Sequence, residues 1–290
     1  MFKKKKDQTY QSYWSISWNI FKKNKVAMVC LFIVILLCLI ALFAPLIAPY
    51  DPNKQVLTDR LMKPCGQHWF GTDDLGRDIF SRIIYGCRVS LSVGIISQII
   101  ATVIGYTMGV CAGYYGGKVD SVISFLIQVF SSFPFLLFAM AIMFVLGPGL
   151  INLYLALGLL GWASTARLIR GDVMRLKKME YIDACKVSGG NSFRIIMKHL
   201  LPNCLSTLIV TVTLGVPNAI MSEASLSFLG LGIQPPTPSW GSMISFAQSY
   251  ISYLPGYSIF PGRAIMITVI AFNIFGDGLR DALDPKMKNQ

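Results

Sequence analysis

The chemically reactive side chains of this 290-residue chain do not form a catalytic or metal-binding pattern. His68 and His199 stand alone in the sequence, and the seven cysteines include no C-x-x-C pair. Such spacing indicates neither a zinc site nor a disulfide framework. The motifs H-E-x-x-H and G-x-S-x-G do not occur. The sequence therefore predicts no enzyme active site and no bound metal, and the cysteines are interpreted as small apolar side chains.

One stretch, AGYYGGKV at 112–119, has some likeness to a phosphate-binding loop. Ala112 stands where that loop needs its first glycine, and Val119 stands where it needs a serine or threonine for magnesium. We interpret the stretch as a flexible turn between apolar segments. The chain itself is expected to bind no cofactor.

The composition indicates a membrane protein. Hydrophobic residues make up 54% of the chain and charged residues 14%, whereas a soluble domain carries about 25% charged residues. The net charge of +12 would suggest nucleic acid only if the basic residues shared one soluble face. They lie between apolar runs instead, so the expected surroundings are membrane lipid and no nucleic acid.

Apolar runs of about 20 residues are typical of transmembrane helices. The predicted fold is an all-α polytopic membrane protein with about six such helices, the first being a retained anchor. Pro134 and Pro217 interrupt the third and fifth spans. The predicted spans are 26–48, 89–112, 121–146, 149–168, 203–228 and 259–276.

The basic residues predict the orientation. Residues 1–25 hold seven lysines, which predicts a cytoplasmic N-terminal tail, and six spans then return the tail 282–290 to the cytoplasm. This arrangement places 19 of the 26 Lys and Arg residues on the cytoplasmic side. It also predicts an extracellular loop at 49–88 and a cytoplasmic segment at 169–202.

Ionisable residues are scarce within the predicted spans. Glu223 is the clear candidate, near the outer end of span five, either as a helix-end carboxylate or in the lining of a translocation path. Secondary transporters bury ionisable residues that bind the coupling ion. Any uphill transport is therefore expected to take its energy from outside the bilayer.

Span two carries small residues at four-residue spacing: Ala101, Gly105, Gly109 and Gly113. Such a stripe lets another helix approach closely. The sequence leaves open whether that helix belongs to this chain or to a second subunit.

The cytoplasmic segment has a helical pattern of its own. A helix is expected from about Asp172 to Val187, and Gly189 and Gly190 supply the positive-φ freedom that ends it. The run FRIIMKHL resumes an amphipathic helix with Phe193, Ile196 and Leu200 on its apolar side, and Pro202 suits the first turn of span five. This pattern favours a docking element for a cytoplasmic partner over a passive basic loop.

The stretch DACKVSGGNSFRIIMKHLLPN (183–203) resembles the EAA loop of ABC importer permeases. Asp183 stands for the glutamate of that pattern, Ala184 and Cys185 for its two alanines, and Gly189 for its glycine, while His199 and Pro202 match its end. The stretches 70–94, 223–244 and 260–285 are similar to the peptide/nickel permease family, specifically to its dipeptide and oligopeptide C-type subunits.

The resemblance implies a type I ABC importer permease fold with its core at 89–281, in the plasma membrane of a prokaryote. It further implies four kinds of partner: a second homologous permease, two cytoplasmic ATPases that hold ATP and magnesium, an extracellular peptide-binding protein, and a peptide substrate. The residues assigned to the ATPase-coupling loop are Glu180, Asp183, Ala184, Cys185, Gly189, Gly190, His199 and Pro202.

Two further expectations concern the outer face and the pathway. Possible contacts with the binding protein, or an outer gate, are Asp73, Asp74, Arg77, Asp78, Glu223 and Trp240, the alternative being that they support loop structure. The pathway walls are expected from spans three to five, with apolar and small-residue faces. Nickel or a metal chelate remains an alternative cargo, and a non-conducting membrane scaffold an alternative function.

Overall fold

The computed structural model describes residues 13–283, and within that range the chain is helical, with no strand beyond one isolated bridge between Thr72 and Asp78. Residues 1–12 of the predicted tail 1–25 and residues 284–290 of the predicted tail 282–290 lie outside the described residues. The helices are α1 (Tyr13–Lys23), α2 (Lys25–Leu42), α3 (Ala44–Ile47), α4 (Ile79–Tyr115), α5 (Gly117–Ser132), α6 (Phe135–Leu146), α7 (Leu150–Leu176), α8 (Glu180–Val187), α9 (Ser192–Ile195), α10 (Leu201–Phe228), α11 (Trp240–Ala247) and α12 (Gly256–Leu283).

Four helical stretches in the described range are long and apolar enough to cross a membrane: α2, α4, the continuous stretch Ser192–Phe228 that ends in α10, and α12. Helices α5 and α6 meet at an angle of 92° and give a fifth span if the bent pair is counted as one. Helix α7, the predicted fourth span, has 27 residues but is not apolar enough to meet the same criterion. Length and composition therefore give four or five spans rather than six.

Helices α4, α7 and α12 extend well beyond the predicted spans. Helix α4 begins at Ile79, ten residues before the predicted start at 89, because the Asp78 carboxylate accepts a hydrogen bond of 2.7 Å from the backbone N–H of Ser81 and caps the helix. Helix α7 continues past 168 to Leu176. Part of the predicted outer loop and part of the predicted cytoplasmic segment are thus the ends of long helices.

The small residues of α4 form a seam with α7. A Cβ atom on Gly105 would lie 2.6 Å from Cβ of Thr165, and one on Gly109 would lie 2.7 Å from the carbonyl oxygen of Ala166. A Cβ atom on Gly113 would lie 2.9 Å from the Arg170 carbonyl oxygen and from Cβ of Val173. One on Gly161 of α7 would lie 3.0 Å from Cβ of Ala101. The open question is thereby answered, since the stripe packs within this subunit.

The two ends of the helical bundle differ. At one end, Phe21 and Ala27 pack against Ala282, so the beginning of α2 meets the end of α12. The turn between α4 and α5, helix α8 and helix α9 lie at this end, which we call the coupling end. The opposite end carries residues 49–78 and α11.

Candidate functional site

The segment expected to couple to an ATPase is two helices rather than one long helix. Helix α7 stops at Leu176, and α8 begins at Glu180 after a three-residue break. The Lys177 ammonium donates a hydrogen bond of 2.5 Å to the Tyr114 carbonyl oxygen and joins this break to the end of α4. The expected helix from Asp172 to Val187 is therefore corrected, and α8 is free to lie at its own angle.

The two glycines after α8 have different tasks. Gly189 adopts φ of +79°, the left-handed conformation that favours glycine. Gly190 has no positive φ, but a Cβ atom there would lie 2.5 Å from Sγ of Cys185. Its N–H donates a hydrogen bond of 2.9 Å to the Cys185 carbonyl oxygen. Only Gly189 has the expected positive φ. At position 190 a residue without a side chain is needed because the chain turns back onto α8.

The helix after the turn is anchored by part of the expected apolar face, since Leu200 is buried and Ile196 partly buried, while Phe193 is not. Ile195 and Leu200 are buried against the ends of α7 and α10, together with Ile182 of α8. Phe193, expected on the apolar side, is 72% exposed, and Val187 is 90% exposed. Buried anchors therefore hold the segment to the bundle, and large apolar side chains face outward.

The residues assigned to the coupling loop lie together at the coupling end. Glu180, Asp183 and Ala184 are exposed on α8, and Asp183 pairs with Lys186 across 2.7 Å. The ring of His199 lies 6.0 Å from that of Tyr181, which joins the π-helical turn Ile196–Leu200 to α8. Pro202 occupies the first turn of α10, as the sequence predicts.

At the opposite end, three of the predicted contact residues are buried. The Asp73 carboxylate accepts a hydrogen bond of 2.6 Å from Nε of Arg77, and Nε of Arg82 lies 3.5 Å away. Asp78 caps α4 and pairs with Nδ1 of His68 at 2.8 Å. Asp73, Arg77 and Asp78 thus hold the loop onto α4 and are not available as surface contacts, while the Asp74 side chain is 26% exposed.

Glu223 and Trp240 are also buried, in the contact between α10, α4 and α11. Glu223 is fully buried and accepts hydrogen bonds from Ser227 at 2.7 Å and Ser90 at 3.4 Å. The Trp240 indole N–H donates to the Ile83 carbonyl oxygen at 3.0 Å, and Trp240 is 1% exposed. Neither residue touches the outer surface, so the interpretations of Glu223 as an interfacial carboxylate and of Trp240 as a surface contact are corrected.

A cleft of about 1360 Å³ is walled by α4, α6, α7, α10 and the end of α12. It passes between the two ends of the bundle along one face of α10, from Pro202 to Ser225. Ordinary small-molecule pockets measure about 300–1,000 Å³. The cleft is therefore the candidate pathway, or the half of one that a single subunit supplies.

The lining of this cleft is largely apolar and comes mostly from α6, α7 and α10, as expected, but it also includes a polar face. One face of α10 presents polar side chains at intervals of three, four and seven residues: Asn203, Thr207, Thr211, Asn218, Ser222 and Ser225. Charged lining residues are confined to the coupling end: Asp172, Arg175 and Arg280. The helical spacing of the polar residues was visible in the sequence, but which face of α10 meets the cleft was not.

Comparison with known proteins identifies relatives of the whole chain. The sequence profile described as "Binding-protein-dependent transport system inner membrane component" matches residues 102–289, and that described as "N-terminal TM domain of oligopeptide transport permease C" matches residues 12–64. The dipeptide transport system permease protein DppC of Bacillus subtilis is 45% identical over 96% of this chain and 87% of its own length. The glutathione transport system permease protein GsiD of Pectobacterium atrosepticum is 42% identical over 98% of this chain and 95% of its own length.

The fold has solved counterparts. A chain of the methionine ABC transporter MetNI, in an inward-facing conformation, superposes with a TM-score of 0.57 at 19% sequence identity, covering 71% of this chain and 98% of that chain. At this identity the likeness concerns the fold, which is that of a type I ABC importer permease.

Proposed function

Because this chain belongs to the family of inner-membrane components of binding-protein-dependent transport systems, we propose that it forms half of the pathway through which an ABC importer carries peptides into a prokaryotic cell. The observation that carries the cargo assignment is the 45% identity to a dipeptide permease over 96% of the chain. The cleft supports the assignment, because its volume accommodates more than a single amino acid and its middle holds no charged side chain.

The proposed assembly contains a second homologous permease, two ATPases and an extracellular peptide-binding protein. One ATPase docks on the coupling segment, which we define as α8, the turn at Gly189 and α9. The exposed Val187 and Phe193 support this docking, since large apolar side chains that reach into water mark interaction surfaces. The basic residues support an orientation in which the coupling end faces the cytoplasm.

ATP and magnesium are proposed to bind the ATPase subunits. The stretch 112–119 is a turn between α4 and α5, where Gly116 and Gly117 have φ of +70° and +53°. A phosphate-binding loop follows a strand and opens a helix, whereas this turn follows the last residues of a long helix. Closure of the ATPases would then reach the cleft as rigid-body movement of the coupling segment and α7.

The test is uptake by cells in which the gene is deleted and then restored, with a labelled peptide pool and radiolabelled nickel supplied in parallel. The proposal expects peptide uptake to fall on deletion and to return on restoration while nickel uptake stays constant. Loss of nickel uptake alone would overturn the cargo assignment but keep the permease. Peptide uptake that stops with a proton uncoupler while ATP stays high would overturn the ATP-driven mechanism.

A further inference from the structure

The polar stripe of α10 runs the length of the cleft. It begins near the coupling end at Asn203 and ends at Ser225. The helical rise from Asn203 to Ser225, at about 1.5 Å per residue, is about 33 Å. This is close to the hydrocarbon thickness of a bilayer, about 30 Å. A polar stripe of this length is suited to contact with a cargo along the whole crossing.

The hydroxyl groups of the stripe have already donated their hydrogens. Thr211 donates to the Thr207 carbonyl oxygen at 2.7 Å, Ser222 to that of Asn218 at 2.8 Å, and Ser225 to that of Met221 at 2.9 Å. Thr207 donates to Oδ2 of Asp172 at 2.6 Å. A hydroxyl has one hydrogen and two acceptor lone pairs. Each of these side chains therefore presents acceptors to the cleft.

The two asparagines add acceptors of the same kind. Nδ2 of Asn203 donates to the His199 carbonyl oxygen at 2.7 Å, and Nδ2 of Asn218 donates to that of Leu214 at 3.2 Å. These bonds fix which amide atom is nitrogen, because a carbonyl oxygen accepts only from a donor. The Oδ1 atom of each amide is left to accept, with one N–H to spare.

The wall formed by α4 offers the complementary group. Ser97 lines the cleft, is 1% exposed, and its Oγ has no hydrogen-bond partner within residues 13–283. A buried hydroxyl without a partner is costly, and a carbonyl oxygen in the cleft would accept its hydrogen. Leucines make up much of the remaining lining, including Leu157, Leu168 and Leu214.

We propose that Asn203, Thr207, Thr211, Asn218, Ser222 and Ser225 form an acceptor track that binds the backbone N–H groups and terminal ammonium of a peptide in transit, while Ser97 donates to a peptide carbonyl. The inference rests on the proposed function and deepens it. Backbone groups are common to all peptides, so the track recognises the class without reading side chains. A chelate rich in carboxylates would place acceptors against acceptors and is disfavoured.

A second reading of the stripe is a contact face for the other permease. The cleft favours cargo, because the stripe borders an open volume of about 1360 Å³ rather than a flat surface. The hydroxyl hydrogens are also bonded within this chain, so the stripe needs no second helix to satisfy them. If the stripe binds cargo, its substitution should reduce uptake. If it contacts the other permease, its substitution should reduce assembly.

The experiment uses the complete transporter in proteoliposomes with saturating binding protein and two probes, triglycine and trisarcosine, whose backbone amides carry methyl groups in place of hydrogen. The double variant Thr211→Val/Ser222→Ala removes two acceptors while preserving volume at Thr211. Its matched control is Thr107→Val/Ser121→Ala, since Thr107 and Ser121 are exposed, donate to the carbonyls of Val103 and Gly117, and lie outside the cleft. A second control, Thr211→Ser, keeps a hydroxyl at position 211.

The track variant is expected to import triglycine about tenfold more slowly per assembled complex, the loss expected from one or two hydrogen bonds. The control and Thr211→Ser should match the wild type. The triglycine comparison decides the proposal, and trisarcosine identifies the cargo group, because the variant's effect should shrink on a cargo whose only N–H groups are those of its terminal ammonium.

Three results would overturn the proposal. If the track variant imports triglycine as fast as the control, the acceptor track is contradicted and the proposed function is unaffected. Poor co-purification with the second permease, with normal uptake per assembled complex, would assign the stripe to the subunit contact. A wild-type transporter that imports no peptide would overturn the proposed function and the track with it.

Discussion

Thr207 on α10 and Asp172 near the end of α7 are joined by a hydrogen bond of 2.6 Å at the coupling end of the cleft. The same carboxylate lies 3.3 Å from the Arg175 guanidinium. Asp172 itself precedes the start of α8 by eight residues. The bond therefore connects the helix that leads to α8 with the helix that carries the proposed acceptor track. A direct side-chain hydrogen bond of this kind is suited to transmitting movement between the two helices.

Breaking this link is expected to uncouple transport from ATP hydrolysis. Asp172→Ala should lower the number of peptides imported per ATP hydrolysed about tenfold to a hundredfold, because a hydrogen bond to a charged group contributes about 1.5–3 kcal/mol. The measurement is uptake and hydrolysis in the same proteoliposomes. Asp172→Asn keeps an acceptor for Thr207 and should retain most of the coupling. An unchanged ratio in the alanine variant would show that movement passes elsewhere.

The seam between α4 and α7 leads to a prediction about stability. In Gly109→Val the added Cβ atom would lie 2.7 Å from the Ala166 carbonyl oxygen, and the two methyl groups would crowd the seam further. Overpacking of this kind costs about 1–3 kcal/mol. The variant should melt at lower temperature in detergent. Gly171→Ala, on α7 with nothing within 4 Å of the added Cβ, should leave melting unchanged or raise it. Equal melting of the two variants would argue against the seam.

The exposed apolar side chains of the coupling segment predict the ATPase contact. Phe193→Asp should prevent co-purification with the ATPases without lowering the melting temperature, because Phe193 is 72% exposed and supports little of the bundle. Leu57→Asp is the matched control, since Leu57 is 69% exposed at the opposite end. An ATPase that binds the Phe193 variant as well as the control would place its docking surface elsewhere.

The buried ion pairs beneath the outer loop predict a structural role for Asp73. Asp73→Ala leaves Arg77 and Arg82 buried without their carboxylate, and breaking a buried pair in this way costs about 3–5 kcal/mol. Thermal unfolding should show a large loss of stability. Asp74→Ala removes a partly exposed carboxylate 3.8 Å from Arg77 and should change little. A stable Asp73 variant with weak binding-protein affinity would instead restore the surface-contact interpretation.

The sequence alone determined the class of this protein and the position of the segment that we propose to couple to an ATPase. Apolar runs are local, and each must form a helix in lipid because its backbone polar groups have no other partners there. The pattern from Asp183 to Pro202 is equally local, with a glycine turn between two short helices. Both features were therefore readable without knowing which helices are neighbours.

Only the tertiary structure decided which polar residues are buried. Glu223 and Trp240 look like surface groups in the sequence, yet each is enclosed by residues distant along the chain, such as Ser90 and Ile83. The moderate apolarity of α7 has the same cause, since α7 packs much of its surface against α4 and its neighbours rather than lipid. Pairing between distant helices also determines which face of α10 borders the cleft, and no local spacing specifies that pairing.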